Sequence, residues 1–409
     1  MTMIDMRDSR AFARQASRPQ AKAAPAEFAT RAEAVAEIAA RHADEVDALS
    51  RFPAEAIDAA RDHRLLGMMV PVALGGEGAS LGQVMDVCYR LGRACASAGM
   101  IFAMHQTKVA CVVRHGSGSA WHEAMLRRLA AEQLLLASST TEGQNGGNVR
   151  SSSAAVEDVG EAITLDRAAT VISYGAQADG IVTTARRAAD AASSDQVLLV
   201  LLKRDYTLER TGGWDTLGMR GTCSAGFALK ATCAAEQVLP VGYDKIHAQT
   251  MTPVAHLVWS SVWSGIAAAA VDRAQRFTRK AARGAGGQMP PGAAHYTRAV
   301  SSLRMLRSLV AGELRRYDVA REDERLLASF DVQTALTLLK VDASDLAVAT
   351  VMSALRACGL SGYRNDGEAS IGRHLRDVLS SPLMINNDRI LSSLATTALM
   401  SAVPASILD

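Results

Sequence analysis

The chain has 409 residues, of which 49% are hydrophobic, 21% charged and 4% aromatic, a composition typical of globular proteins of two or three domains. The 44 basic and 42 acidic residues give a formal net charge of +2, which argues against an extended nucleic-acid interface. No apolar run reaches the roughly 18 residues of a membrane span, and the charged N-terminus is unlike a secretory signal. The six cysteines form no CxxC pair, so we expect reduced thiols and a cytoplasmic location.

The N-terminal third of the sequence is predicted to be helical. Residues 1–26 mix Arg, Asp, Ser, Ala and Pro, and we expect them to form a poorly ordered lead-in. Residues 27–135 carry apolar residues at spacings of three and four, which predicts an N-terminal helical domain. Within it, Pro53 is suited to a helix start and Ser80 to a helix N-cap.

The pattern changes near Leu134, where short β-branched or apolar runs are separated by Gly, Asp and Ser. These runs predict a middle β domain over residues 136–242. Helical periodicity returns at Pro253 and predicts a C-terminal bundle of four-helix type over residues 243–409. The order of helices, strands and helices predicts an α+β protein of three packed units rather than an alternating βαβ sheet.

Five short segments carry the most specific pattern in the chain. They read MVPVALGGEGASL (69–81), TTEGQNGGN (140–148), WDTLGMRGTCS (214–224), ALRACGLSGY (354–363) and RHLRDV (373–378). Together, in this order and at this spacing, they resemble the signature segments of the acyl-CoA dehydrogenase superfamily of flavoproteins. The resemblance implies an N-terminal helical domain, a middle β-barrel or sandwich domain and a C-terminal four-helix bundle, assembled as a homodimer or homotetramer.

The resemblance also implies an FAD between the β domain and the bundle. The residues on flavin-contacting positions of the family are Thr140, Thr141, Gly146, Gly147, Ile172 and Ser173. Hydroxyl and backbone N–H groups suit the polar edge of a flavin, which needs hydrogen-bond partners once buried. By the resemblance, Ser173 would touch the N5 edge of the ring. An ordinary polar turn and a solvent-facing strand hydroxyl are the alternative interpretations of these two segments.

The pyrophosphate of FAD needs cationic or N–H donors. The family supplies them from a long helix and from a later segment, often across a subunit interface. Ala281 occupies the position of the family arginine, and Arg279 or Arg283 could replace it, although a solvated basic helix face is the alternative. In the later segment, Arg356 and Gly359 fall on pyrophosphate-binding positions.

A dehydrogenase of this class removes a proton next to a thioester carbonyl and needs a general base close to that carbon. The glutamate that most members use falls on Ile385, and the Gly-Thr that follows it becomes Asn386 and Asn387, the second of which is a candidate flavin contact. The glutamate position that other members use falls on Ala255, next to His256. Both usual positions therefore lack a carboxylate.

Four interpretations follow from this departure. His256 could be an unusual base, with Asp388 as the other nearby group, although a packed core histidine and a helix N-terminal charge are simpler readings. The chain could be a two-component monooxygenase that takes reduced FAD or FMN from a reductase. Several such enzymes use one histidine near the flavin in the first domain and another near the C-terminal segment, and His105 and His374 are the candidates for these. It could be a base-less subunit whose partner supplies the glutamate, or a non-catalytic binding relative.

We adopt the family's majority activity, FAD-dependent oxidation of an acyl group carried on CoA or on a carrier protein. An electron-transfer flavoprotein or a flavin reductase would then be a partner, and we expect neither nucleic acid nor a membrane. No metal is expected, because the sequence has no HExxH motif and no Cys/His set with zinc spacing.

Overall fold

The structure is a computed structural model that describes residues 25–143, 148–400, 403 and 405–406. The lead-in expected over residues 1–26 lies outside the described residues except for its last two positions, and so do Gly146 and Gly147.

Five helices form the N-terminal part, as the apolar periodicity predicts. They are α1 (Pro25–Leu49), α2 (Ala54–Asp62), α3 (Leu81–Ala94), α4 (Ala96–His115) and α5 (Ala120–Glu132). Pro53 directly precedes α2, and Ser80 is the N-cap of α3. The Ser80 hydroxyl accepts the backbone N–H of Gln83, whose side chain accepts the Ser80 N–H, so the predicted cap is a full capping box.

The described residues that follow contain seven strands in two small sheets. They are β1 (Leu136–Ser139), β2 (Glu157–Asp158), β3 (Ala162–Ile172), β4 (Gly180–Arg186), β5 (Gln196–Leu202), β6 (Tyr206–Arg210) and β7 (Ala225–Ala234). In the first sheet β1 pairs in parallel with β4, and β4 pairs antiparallel with β5. The second sheet is antiparallel, in the order β2-β3-β7-β6. Every residue of β5 is buried, which explains its uninterrupted apolar run.

The C-terminal part is helical again. Its elements are α6 (Tyr243–Ile246), one turn of π-helix (His247–Met251), α7 (Thr252–Gly284), α8 (Ala293–Ala320), α9 (Glu324–Leu327), α10 (Phe330–Cys358), α11 (Leu360–Tyr363), α12 (Gly372–Val378) and α13 (Asn387–Met400). The helix α7 packs against α8 and α10 on one side and against α3 and α4 on the other.

Small residues let α7 cross α3 closely. A Cβ at Gly265 would lie 2.2 Å from the carbonyl oxygen of Tyr89, and one at Gly92 would lie 2.5 Å from that of Val262. Among the described residues, the continuous stretch Tyr243–Gly284 is long and apolar enough to cross a membrane, contrary to our expectation from the sequence. Because 94% of its apolar window is buried inside the protein, it serves here as the central core helix.

Two of the signature segments contact each other. The buried Asp377 accepts the backbone N–H of Met219 at 2.7 Å, and a Cβ at Gly218 would lie 2.0 Å from the carbonyl oxygen of Arg376. Arg376 also forms a bidentate ion pair with Asp47 of α1. The WDTLGMRGTCS and RHLRDV segments thus join the first helix, the β part and the C-terminal helices.

Candidate active site

A small cavity of about 80 Å³ lies where α4, β1, the π turn, α7 and the loop before α13 meet. Its described lining residues are Met104, Thr107, Lys108, Ser138, Thr140, Val149, Tyr243, His247, Met251, Thr252, Ala255, His256, Trp259 and Ile385. Ala255 and Ile385, the residues that the sequence resemblance predicts at the two glutamate positions, therefore border one space. Among these lining residues the titratable groups are Lys108, Tyr243, His247 and His256, and none is a carboxylate.

His256 is buried on α7 with one ring nitrogen directed at the backbone. Its Nδ1 lies 2.9 Å from the carbonyl oxygen of Leu336. Because a carbonyl can only accept, Nδ1 carries the proton and Nε2 keeps its lone pair. Burial lowers the pKa of His256 to about 4, with the Leu336 carbonyl opposing this shift and the Lys340 charge adding to it. The imidazole is therefore neutral at neutral pH.

The π turn places a second histidine at the cavity. The His247 ring packs edge-on against Tyr243, with ring centroids 5.6 Å apart, and its Nε2 lies 3.0 Å from the Thr252 hydroxyl. Burial lowers the pKa of His247 to about 3, and the charges of Arg150, His256 and Lys108 act in the same direction. The sequence analysis missed His247, and the signal that could reveal it, a π turn before a long helix, has no clear sequence pattern.

Lys108 is the other residue that sequence analysis missed. It lies on α4, 5% exposed, with its Nζ 2.8 Å from the sulfur of Met251. Burial lowers the pKa of Lys108 to about 8. Its sequence signal is a single charge inside the apolar run MIFAMHQTKVACVV, on the same helix face as Met104 and Cys111.

The loop after β1 reaches the cavity at Thr140, whereas Thr141 is half-buried and outside the lining. The next residue, Glu142, is buried. Its carboxylate accepts the backbone N–H groups of Ser153 and Ala154 and forms an ion pair at 3.5 Å with the buried Arg167 of β3. The loop that begins with the two threonines is therefore anchored to the β part.

Ser173 belongs to a row of hydroxyl groups. Its Oγ lies 2.8 Å from that of Ser224, which lies 2.8 Å from the Thr222 hydroxyl. Thr222 in turn donates to the carbonyl oxygen of Met219. Ser173 is half-buried, while its neighbour Ile172 is fully buried in the core. The row therefore connects the strand end at Ser173 to the WDTLGMRGTCS segment.

The loop before α13 has a strained backbone at Ile385. Its φ is +56°, a left-handed conformation that β-branched residues rarely adopt. Lys340 holds this geometry, since its Nζ donates to the Ile385 carbonyl at 2.5 Å and to the Asn387 side chain at 2.7 Å. Asn387 also donates to Ser344 at 2.9 Å, so its amide binds α10. Asp388 is exposed in the first turn of α13 and does not line the cavity.

The cationic residues expected at a pyrophosphate do not line this cavity. Arg283, Arg279 and Lys280 are exposed at the far end of α7. They line a surface groove, hereafter the basic groove, together with Arg273, Arg276, Phe277, Ser361, Arg364, Asp366, Gly367, Glu368 and Ala369. Arg356 and Gly359 are exposed near the end of α10 and are not part of this lining.

The other candidate histidines are placed outside the cavity. His105 is fully buried between two backbone groups, since its Nε2 donates to the Leu66 carbonyl at 2.9 Å and its Nδ1 accepts the Leu136 N–H at 3.0 Å. Both ring nitrogens are therefore engaged. His374 is buried on α12 and borders a separate surface groove.

Comparisons with known proteins agree with this architecture. The family description "Acyl-CoA dehydrogenase, N-terminal domain" matches residues 10–133. A cyclohex-1-ene-1-carbonyl-CoA dehydrogenase of Geobacter metallireducens is 26% identical over 378 residues, which are 90% of this chain and 95% of that protein.

Solved structures give the same fold. The FMN-bound form of the dibenzothiophene monooxygenase of Paenibacillus sp. A11-2 superposes with a TM-score of 0.79 at 19% identity, over 92% of this chain and 98% of that one. A methanesulfinate monooxygenase of Pseudomonas fluorescens has a TM-score of 0.77 at 19% identity and the same coverage. The family match over the N-terminal part and the near full-length relative support membership of the acyl-CoA dehydrogenase superfamily, and the solved structures show the same fold.

Proposed function

We propose that the protein is a flavin-dependent oxidoreductase that dehydrogenates an acyl thioester, with His256 as the general base. The observation that carries this proposal is the geometry of His256. Its Nδ1–H is engaged by the Leu336 carbonyl, so the basic Nε2 is the ring atom left for the cavity that Ala255 and Ile385 border. Among the described residues, the hydrogen bond of the His256 ring is the one at Nδ1.

The surroundings of His256 keep its imidazole unprotonated at neutral pH, although burial also makes it a weaker base than a free histidine. A neutral imidazole can take the α proton of the substrate at Nε2 without first losing one of its own. The imidazolium that forms keeps its Nδ1–H on the Leu336 carbonyl, which stabilises the added charge. The same carbonyl fixes the tautomer, so the lone pair stays on the side of the cavity.

The residues present fit a flavin. Thr140 brings a hydroxyl to the cavity, and the row from Ser173 to Thr222 can accept or donate at a polar ring edge. When bound, the flavin supplies the acceptor for the hydride that leaves the β carbon. FAD is the form we propose, because the basic groove offers Arg279, Lys280 and Arg283 to a pyrophosphate.

The positions of these residues support a shared cofactor site. His256 and Arg279 lie 23 residues apart on α7, which at 1.5 Å per residue is about 35 Å. This separation exceeds the length of an extended dinucleotide, so one FAD cannot reach the cavity and the basic groove of the same chain. We therefore propose a homodimer or homotetramer in which the groove of one copy serves a flavin of another.

The test is anaerobic reduction of the bound flavin by a panel of acyl-CoA thioesters, followed by its visible absorption. We expect His256→Ala to keep the flavin and to lose reduction by at least a hundredfold. A second variant, His256→Ala with Ala255→Glu, should recover part of the rate because it restores a carboxylate at a family position. His374→Gln, a buried histidine outside the cavity, is the matched control. An unchanged rate in His256→Ala would refute the proposed base.

A two-component monooxygenase is the second candidate, favoured by the absence of a carboxylate among the described residues that line the cavity. Such an enzyme needs no α-proton base and takes reduced flavin from a reductase. The same preparation distinguishes the two reactions. Flavin that every thioester leaves oxidised, together with oxygen consumption that requires a reductase and reduced FMN or FAD, would support the monooxygenase. An electron-transfer flavoprotein is the corresponding partner of the dehydrogenase.

A further inference from the structure

Lys108 is a buried lysine whose described surroundings give its ammonium group only one weak hydrogen-bond acceptor. Its Nζ has one hydrogen bond to a described residue, to the Met251 sulfur at 2.8 Å, and a thioether is a weak acceptor. The side chain is 5% exposed and lines the cavity. Lysines are almost never buried this far without a partner, because removal of an ammonium from water is costly.

The groups that face Lys108 do not neutralise it. Cys111 lies on the same helix, Tyr243 on α6, His247 on the π turn and His256 on α7. The two histidines are neutral because burial lowers their pKa, and burial raises the pKa of both the thiol and the phenol. No described carboxylate lines the cavity, so the described residues that line it give the ammonium no anionic partner.

A second donor borders the same cavity. The indole N–H of Trp259 is buried and has no hydrogen-bond partner among the described residues. Its ring packs 6.0 Å from that of His256, so the donor lies on the face of α7 that carries the proposed base. Lys108 and Trp259 thus line one cavity, and each carries a donor that lacks a strong acceptor among the described residues. Such donors suit an oxyanion.

We propose that Lys108 and Trp259 form an anion subsite, so that the substrate is an acyl thioester whose chain carries a carboxylate or a similar oxyanion. The inference rests on the proposed function only in taking an acyl thioester as the substrate. It does not depend on whether that thioester is dehydrogenated. The ammonium of Lys108 takes the place that an apolar side chain would hold in a pocket for a plain fatty acyl chain. The anion gains a charge-assisted hydrogen bond, and the lysine gains the partner that it lacks.

The test compares succinyl-CoA with butyryl-CoA, which have four-carbon acyl groups and differ by a terminal carboxylate in place of a methyl. Binding is measured anaerobically by isothermal titration calorimetry on protein whose flavin is reduced beforehand, so that neither thioester is oxidised during the titration. We expect succinyl-CoA to bind roughly tenfold to a hundredfold more tightly at pH 7. Lys108→Met should abolish this preference and Lys108→Arg should keep it, while thermal melting reports whether each variant is folded.

The pH dependence provides an independent arm. Since burial lowers the pKa of Lys108 to about 8, the wild-type preference should fall between pH 8 and pH 9.5. In Lys108→Arg it should persist, because the guanidinium stays charged. Free succinate serves as the probe for an anion site that does not need the thioester.

Each result decides the inference. Equal affinities for the two thioesters in the wild type, or a preference that survives in folded Lys108→Met, would overturn it. Tight binding of succinyl-CoA without flavin reduction would support the anion subsite while contradicting the proposed dehydrogenase. Reduction by butyryl-CoA with no preference for succinyl-CoA would do the reverse.

Discussion

Asp377 joins two signature segments through one buried carboxyl group. Burial raises its pKa from 3.8 to about 6, although the N–H of Met219 and the charges of Arg373 and Arg376 oppose the shift. Because the folded-state pKa lies above the unfolded one, the protonated carboxyl stabilises the fold. This contribution is complete below about pH 4 and is lost as the pH rises through 6.

We therefore expect wild-type protein to lose about 2–3 kcal/mol of unfolding free energy between pH 4 and pH 6.5, relative to Asp377→Asn over the same range. Urea denaturation of both proteins at several pH values measures the difference. Asp388→Asn, at an exposed site, is the control and should follow the wild type. Parallel curves for wild type and Asp377→Asn would show that the carboxyl titrates alike in both states.

At the scale of elements, the ion pair between Glu142 and Arg167 links the loop after β1 to β3. Arg167 is fully buried and also donates to the Thr184 carbonyl, while its Nε and Nη2 have no partner among the described residues. Burial lowers the pKa of this arginine, and the carboxylate of Glu142 acts against that shift. The strand therefore depends on a single acidic residue of the loop.

Glu142→Gln should lower the unfolding free energy by about 3 kcal/mol, because it leaves a buried guanidinium uncompensated. Glu132→Gln removes the exposed partner of Arg128 and should cost at most about 0.5 kcal/mol. Chemical denaturation of the two variants gives the comparison. If both variants were equally stable, the buried pair would contribute no more than a surface pair.

The sequence predicts most elements because their patterns are local. The helix start at Pro53 and the N-cap at Ser80 follow from the residue types that suit those positions. The cavity is different. Lys108 and Ile385 are 277 residues apart in the chain, and only packing around α7 brings them together. A local pattern carries no signal for such a contact.

Resemblance to a family also has limits at single positions. It gives Ile385 and Ala255 as the places of the glutamate, and both border the cavity. It also gives Asn387 as a flavin contact, which stays a prediction, and in the structure this side chain hydrogen-bonds Lys340 and Ser344. The family alignment predicts where the backbone of a residue lies, but the hydrogen bonds of its side chain depend on the residue type at that position.

At the scale of the whole molecule, α7 carries the proposed base near one end and the basic groove at the other. Two defective variants can therefore complement each other. His256→Ala lacks the base but keeps the groove, while the double variant Arg279→Glu, Arg283→Glu lacks the groove but keeps the base. Refolded together in equal amounts, the two variants form mixed dimers about half of the time, and one of the two composite sites in each mixed dimer is intact. The mixture should therefore recover about a quarter of the wild-type rate per site.

Flavin reduction by an active thioester measures the recovery, with each variant refolded alone as the control. A mixture that stays as inactive as its components, although size-exclusion chromatography shows mixed oligomers, would contradict the shared site. If the groove variant refolded alone reduced its flavin at the wild-type rate, each chain would hold its cofactor unaided. The groove would then be a solvated helix face.

The separation of about 35 Å between His256 and Arg279 on α7 has a consequence for mass action. If a flavin bridges two copies, its release and the separation of the copies are coupled equilibria, and each favours the other. Dilution would then strip the cofactor from a protein whose individual binding contacts are unchanged. A cell that makes little of this chain would hold it mostly as apoprotein, so its specific activity would rise with its own abundance.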